Sequence, residues 1–298
     1  CSSDLVNKMQ NITRVSQFDE KNVNYSDVRV NSFGGKSIYL NYLESKRSLV
    51  LQTPQMVMPY NVGEFQPLDS SGNPDGNKKY TMNLSFRSME DDPKVKLFYE
   101  KITALDDKLV TDAVKNSLPW FKANHKREVI NALYSPTVKV SKDRETGEAD
   151  GKYPPTIKIK LPTRDDKFMC EVYNSKREEV DLLETLGKGA QVKALIQCTG
   201  VWFAGGKFGL SWKVVQMKVV PSKKIKGYSF IDESDDEDGE GETKESESKE
   251  VESDDELDEG VVDEDVEVVS ESESEEEDEE EKPPTPKKKV KRRKKTSN

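Results

Sequence analysis

The chain has 298 residues, 35% of them charged and 33% hydrophobic, and a formal charge of −10. That charge averages three unlike segments: residues 232–281 hold 30 Asp and Glu against two lysines (−28), residues 282–298 hold nine Lys and Arg and no acid, and residues 1–231 carry +9. No apolar run approaches the roughly 18 residues of a membrane span, nothing near the start has the pattern of a signal peptide, and Cys1, Cys170 and Cys198 stand apart without CxxC spacing, so a soluble chain in a reducing compartment is expected, without membrane, zinc or cofactor.

In chain order, SIYLNY (37–42) and SLVLQT (48–53) have strand composition around the polar turn ESKR, which predicts a hairpin. LQTPQMVMPY breaks at Pro54 and Pro59, QPLDSSGNPDGNKK is a turn-rich loop, and KYTMNLSFR returns to alternating strand character. From Pro93, Val95, Phe98, Ile102, Leu105, Leu109 and Val114 recur at helical intervals with Asp91 or Asp92 available as cap, and a second helix is predicted over 126–133. TVKVSKD, TIKIKLPT and KFMCEVYN alternate again, which turns Lys139, Lys158 and Lys160 away from the core. GAQVKALIQCTGVWF and KFGLSWKVVQMKVV, joined through Ala204, Gly205 and Gly206, form the strongest hairpin signal.

The pattern predicts a mainly β fold with helical insertions (α+β): an OB-type antiparallel β-barrel over 1–231, with the helical insertion at about 93–133. The acidic arm 232–281 has too little apolar content to offset chain entropy, which predicts disorder, and 282–298 forms a basic tip. Ser234, Ser253, Ser270, Ser272 and Ser274 precede acids and are candidate phosphorylation sites. In the tip, Lys287, Lys288, Lys289, Lys291, Arg292, Arg293, Lys294 and Lys295 have the density of a nuclear localisation signal, a composition that also binds nucleic acid non-specifically.

Catalytic signatures are weak. His125 is the only histidine and neighbours Lys126 and Arg127, no metal cluster or GxSxG is present, and GKGA and GGK lack the spacing of a phosphate-binding loop. Aromatic rings interleaved with lysines suit single-stranded nucleic acid, whose bases stack and whose backbone is charged. The candidate contacts are Lys139, Lys158, Lys160, Lys193, Lys207 and Lys213 for phosphates, with Trp202, Phe203 and Phe208, then Trp120 and Tyr153, for bases. Period two puts Phe208 and Trp212 on one strand face and Lys207 and Lys213 on the other, so these rings also have a core interpretation.

LQTPQMVMPY, the LPWF segment with the helix after it, SPTVKVSKDRETGEADGKYPPTIKIKLP and GVWFAGGKFGLSWKVVQ together resemble the OB-fold single-stranded DNA-binding proteins of nucleocytoplasmic large DNA viruses. That family is in turn similar to a phage replication protein with an acidic C-terminal tail. The resemblance spans roughly 25–220. It implies a protein that coats single-stranded DNA during viral DNA replication, recombination or repair, without catalysis, in the host nucleus or a cytoplasmic virus factory, with replication proteins as partners of the arm. The basic ending PPTPKKKVKRRKKTSN departs from a tail that ends in acids and a terminal aromatic. Two alternatives stand beside it: a histone-chaperone-like or scaffold protein acting through the arm, and an RNA-binding factor.

Overall fold

Strand-forming runs separated by glycine- and proline-rich turns dominate the computed structural model, which describes residues 12–222 apart from 32–33, 44–46, 69–71 and 75. The acidic arm, the basic tip, the five candidate serines and the candidate localisation signal lie outside the described residues. Six strands frame the molecule: β1 (Val50–Gln52), β2 (Met56–Val57), β3 (Lys79–Ser85), β4 (Thr156–Leu161), β5 (Gln191–Ala204) and β6 (Lys207–Val220). Between β3 and β4 run helices α1 (Pro93–Lys115), α2 (Ser117–Phe121) and α3 (Arg127–Leu133).

The strand pairings almost close into a ring. β5 pairs antiparallel with β1 and β2, β2 with β3 through Ser85 and Val57 alone, β3 with β4 over six residues, β4 with β6 in parallel through Lys160 and Lys213 alone, and β6 returns to β5. The result is a mixed α+β fold whose sheet is a near-closed ring. Alternation sets its two sides: Ile157, Ile159 and Leu161 of β4, Met82 and Leu84 of β3, and Phe208, Leu210, Trp212 and Val214 of β6 are buried, while Lys158, Lys160, Thr81, Asn83 and Lys213 take the other side.

Local chemistry explains the joints. Gly205 (φ 55°) and Gly206 (φ 76°) supply the two left-handed residues that a tight hairpin between β5 and β6 requires. At Gly200 (φ 130°) a Cβ would lie 2.1 Å from the Ile38 carbonyl oxygen, so only glycine lets the strand Lys36–Ile38 close onto β5. Helix α1 starts where predicted, with the Asp92 side chain accepting from Lys94 N at 2.8 Å and Pro93 in the first turn. Its stripe of Val95, Phe98, Ile102, Leu105 and Leu109 is fully buried.

Two expectations change. The predicted 37–53 hairpin pairs only at Asn41 with Ser48 and Tyr42 with Arg47, after which Val50–Gln52 turns onto β5. Nor is the sheet wholly antiparallel: Tyr134–Ser135, β4 and Glu171–Tyr173 all run parallel to β6, and Ile12–Arg14 runs parallel to β1. The segments beside β6 reach it from separate excursions rather than tight hairpins, and parallel pairing needs such crossovers.

Candidate nucleic-acid interface

The outward face of β3, β4 and β6 is polar and basic. Across it, Gln197, Lys213, Lys160, Thr81 and Gly63 stand side by side on successive strands, with Lys158 opposite Asn83 in the adjoining row. Directly opposed residues sit about 5 Å apart, and like charges so placed repel. An anionic oxygen placed between Lys160 and Lys213 would convert that repulsion into attraction at both ammonium groups.

Towards the hairpin tip the face becomes aromatic. Trp202 lies opposite Gly209, where a Cβ would come within 2.9 Å of the indole Cζ2 and 2.8 Å of the Ser135 carbonyl oxygen. Its Nε1 donates to the Leu210 carbonyl at 3.3 Å, so the missing side chain at Gly209 lets the half-buried indole rest over the β6 backbone. Beside it, Ser37 pairs with both Trp202 and Arg29, and the Arg29 guanidinium sits 4.7 Å from the centre of the exposed Tyr39 ring. Lys139 Nζ donates to Ser135 Oγ at 2.8 Å, and Ser135 pairs with Gly209, which brings this lysine beside the same platform.

The remaining sequence candidates divide by face. Lys207 at the tip and Lys193, opposite Lys218 at the far end of the hairpin, are exposed. Tyr153 is exposed with the Lys152 ammonium 5.1 Å from its ring centre. Phe203 points to the other side, half-buried among Trp120, Phe121 and Phe208 at centroid distances of 6.3, 5.6 and 6.0 Å. Two candidates are corrected: Phe208 is 0% exposed and Trp120 only 4%, because β6 alternation and the inner side of α2 turn both into the core. Phe208→Ala is accordingly expected to cost about 3–5 kcal/mol of folding stability, read as a lower midpoint in urea unfolding; an unchanged midpoint contradicts its core role.

Several residues of this face escaped the sequence analysis. Thr81 and Asn83 were legible from their alternation with Met82 and Leu84. Arg29 and Phe65, the latter 56% exposed opposite Lys79, lie in short strands that show no clear period, and Tyr39 falls between two such strands. The His125 ring packs against Phe121 at 5.9 Å, and its backbone N donates to Ser117 Oγ. Burial pushes the thiols of Cys170 and Cys198 up to about 11 and about 12, so neither is a thiolate at neutral pH. Among the described residues no group of three or more His, Cys, Asp or Glu is placed to hold a metal, and no helix is long and apolar enough to cross a membrane.

Residues 87–232 match the model of a family described as a family of unknown function, DUF5871. By sequence the chain is similar to uncharacterized protein L291 of Acanthamoeba polyphaga mimivirus, a nucleocytoplasmic large DNA virus, at 28% identity over 197 residues, or 64% of this chain. The matched part spans 28% of that relative's length. Among solved structures it is similar to the single-stranded DNA-binding protein of bacteriophage Enc34 in complex with ssDNA (13% identity, TM-score 0.37, 67% of this chain and 98% of that one). It is also similar to gp2.5, a single-stranded DNA-binding protein encoded by bacteriophage T7 (15% identity, TM-score 0.34, 67% and 100%).

Proposed function

We propose that the chain is a non-catalytic single-stranded DNA-binding protein that uses the outward face of β3, β4 and β6 and serves viral DNA replication, recombination or repair. The observation that carries this reading is the basic row through Lys160 and Lys213, with Lys158 beside it and the Trp202 platform at one end. Lysines along a groove supply sequence-independent attraction to phosphates, and exposed rings stack on any base. The ring has the strand order expected of an OB-type barrel: β1 and β2 act as one bent first strand, β3 and β4 follow, and the β5–β6 hairpin closes it with β6 parallel to β4. Barrels of that type bind oligonucleotides on the second and third strands and on the loops that hold Phe65 and the 204–207 tip here. In this reading the acidic arm modulates binding and recruits basic partners.

The test is titration of fluorescent oligo(dT) at several salt concentrations against the full chain and against a chain ending at residue 231, which keeps every described strand and helix. Log K is expected to fall with log salt at about −0.7 per phosphate contact. The shorter chain is expected to bind more tightly at low salt, because a tethered polyanion no longer competes. If the shorter chain ignores DNA while the arm captures histones, the chaperone alternative stands; preference for oligo(U) over oligo(dT) in competition favours the RNA-binding one.

A further inference from the structure

We propose that Asp106 of helix α1 is a positioning residue for this basic face, holding in place a six-residue splint across one of the two single-pair joints of the ring. β4 and β6 meet at one pair, Lys160 with Lys213, and do not pair directly nearer their starts. Residues 134–139 fill that wedge. Tyr134 and Ser135 pair with Phe208 and Gly209 along β6, and Val138 and Lys139 pair with Ile157 and Thr156 along β4. The splint therefore fixes how the two strands bearing the opposed lysines lie beside one another.

Asp106 directs its carboxylate at this segment. Oδ1 accepts from Tyr134 Oη at 2.6 Å and Thr137 Oγ1 at 2.7 Å, and Oδ2 accepts from Thr137 N at 2.9 Å. The side chain is 7% exposed, and its burial holds the carboxyl above the usual carboxylate range despite these bonds. Packing α1 on the sheet needs only the apolar stripe it already has, so a buried carboxylate is an expensive way to make that contact. What it adds is direction: three bonds with fixed geometry, two to Thr137 in the turn between the halves of the splint and one to Tyr134 at its start. Downstream, the splint carries Ser135, whose hydroxyl accepts from Lys139 Nζ beside Gly209 and Trp202. Asp106 thus connects the helical insertion to Lys139 through the splint, and to the Lys160–Lys213 joint through strand placement.

This inference rests on the reading of the face as a DNA interface, and its test keeps the two apart. The full chain is compared with Asp106→Asn and Thr137→Val, each alone and combined with Lys139→Ala plus Lys213→Ala, in oligo(dT) titrations across salt well below the melting temperature. Asp106→Asn is expected to weaken binding about 10-fold and to flatten the salt slope by about 0.7–1.4, equivalent to one or two phosphate contacts. In the Lys139→Ala, Lys213→Ala background most of that loss should vanish, since sites acting through one another are not additive. An equal loss in both backgrounds, or an unchanged slope, overturns the positioning role. If Asp106→Asn does not fold, Thr137→Val, which removes only one of the three bonds, supplies the same comparison. Hydrogen exchange supplies an arm without DNA: the amides of 134–139 and 208–213 should exchange faster in Asp106→Asn than those of β3. Faster exchange there in a protein that ignores oligo(dT) would sink the DNA reading and keep the splint, whereas uniform exchange would sink the splint.

Discussion

Reversing both opposed lysines, Lys160→Glu with Lys213→Glu, is expected to lower affinity for oligo(dT) by about 100-fold or more at low salt, because like charges placed against each other at an interface cost several kcal/mol. The salt slope should fall by about 1.4, two contacts at about 0.7 each. The double change replaces one like-charged pair by another on the same outward face, so repulsion within the pair is retained and the melting temperature should move far less than the affinity. The single change Lys160→Glu separates the two effects. It sets a glutamate opposite Lys213, which should strengthen the joint by up to about 1 kcal/mol while still weakening DNA binding. Affinity unchanged by the double reversal would place the phosphate track elsewhere.

Trp202→Ala is expected to cost about 1–3 kcal/mol of binding for a stacked base, roughly 5- to 150-fold in affinity. The other two tryptophans, Trp120 and Trp212, are buried, so quenching of the intrinsic fluorescence by oligo(dT) should come from Trp202 and disappear in the variant. The indole is half-buried over Gly209 and bonded to the Leu210 carbonyl, so some loss of stability accompanies the change. What distinguishes stacking from support is that Trp202→Phe, which keeps a flat ring, recovers most of the affinity. Full quenching in Trp202→Ala would remove this residue from the interface.

Much of this architecture was legible because it is written in alternation. TIKIKL announces both its buried side and the outward Lys158 and Lys160, and the glycine pair at 205–206 marks the hairpin without ambiguity. Period two also separated Lys213 from Phe208 and Trp212, although only the three-dimensional packing shows that Phe208 is wholly enclosed. Three things stayed out of reach. Parallel pairing between segments far apart in the chain leaves no local signature, so the Lys160–Lys213 meeting was invisible. Strands of two or three residues, such as Arg29–Val30 and Gly63–Phe65, are too short to show a period, which hid Arg29, Phe65 and, between two such strands, Tyr39. Asp106 stands beside Asp107 in the sequence, and nothing nearby reveals that Tyr134 and Thr137 fold back onto it.

Strand β5 has a consequence for how the molecule is made. Strands at 36–38, 50–52 and 56–57 each have one neighbour made early and the other in residues 191–204, so the sheet around them stays open until a segment about 140 residues later in the chain arrives. At roughly 5–20 residues per second, a ribosome needs about 7–30 seconds to deliver it. Helix α1, capped by its own Asp92, has local contacts enough to form early, but the ring does not. During that interval strand edges around Leu49, Leu51 and Met56 are open to other nascent chains. Assembly is therefore governed by the arrival of the last hairpin, and slowed translation between residues 60 and 190 should increase aggregation of this protein more than slowing anywhere after residue 220.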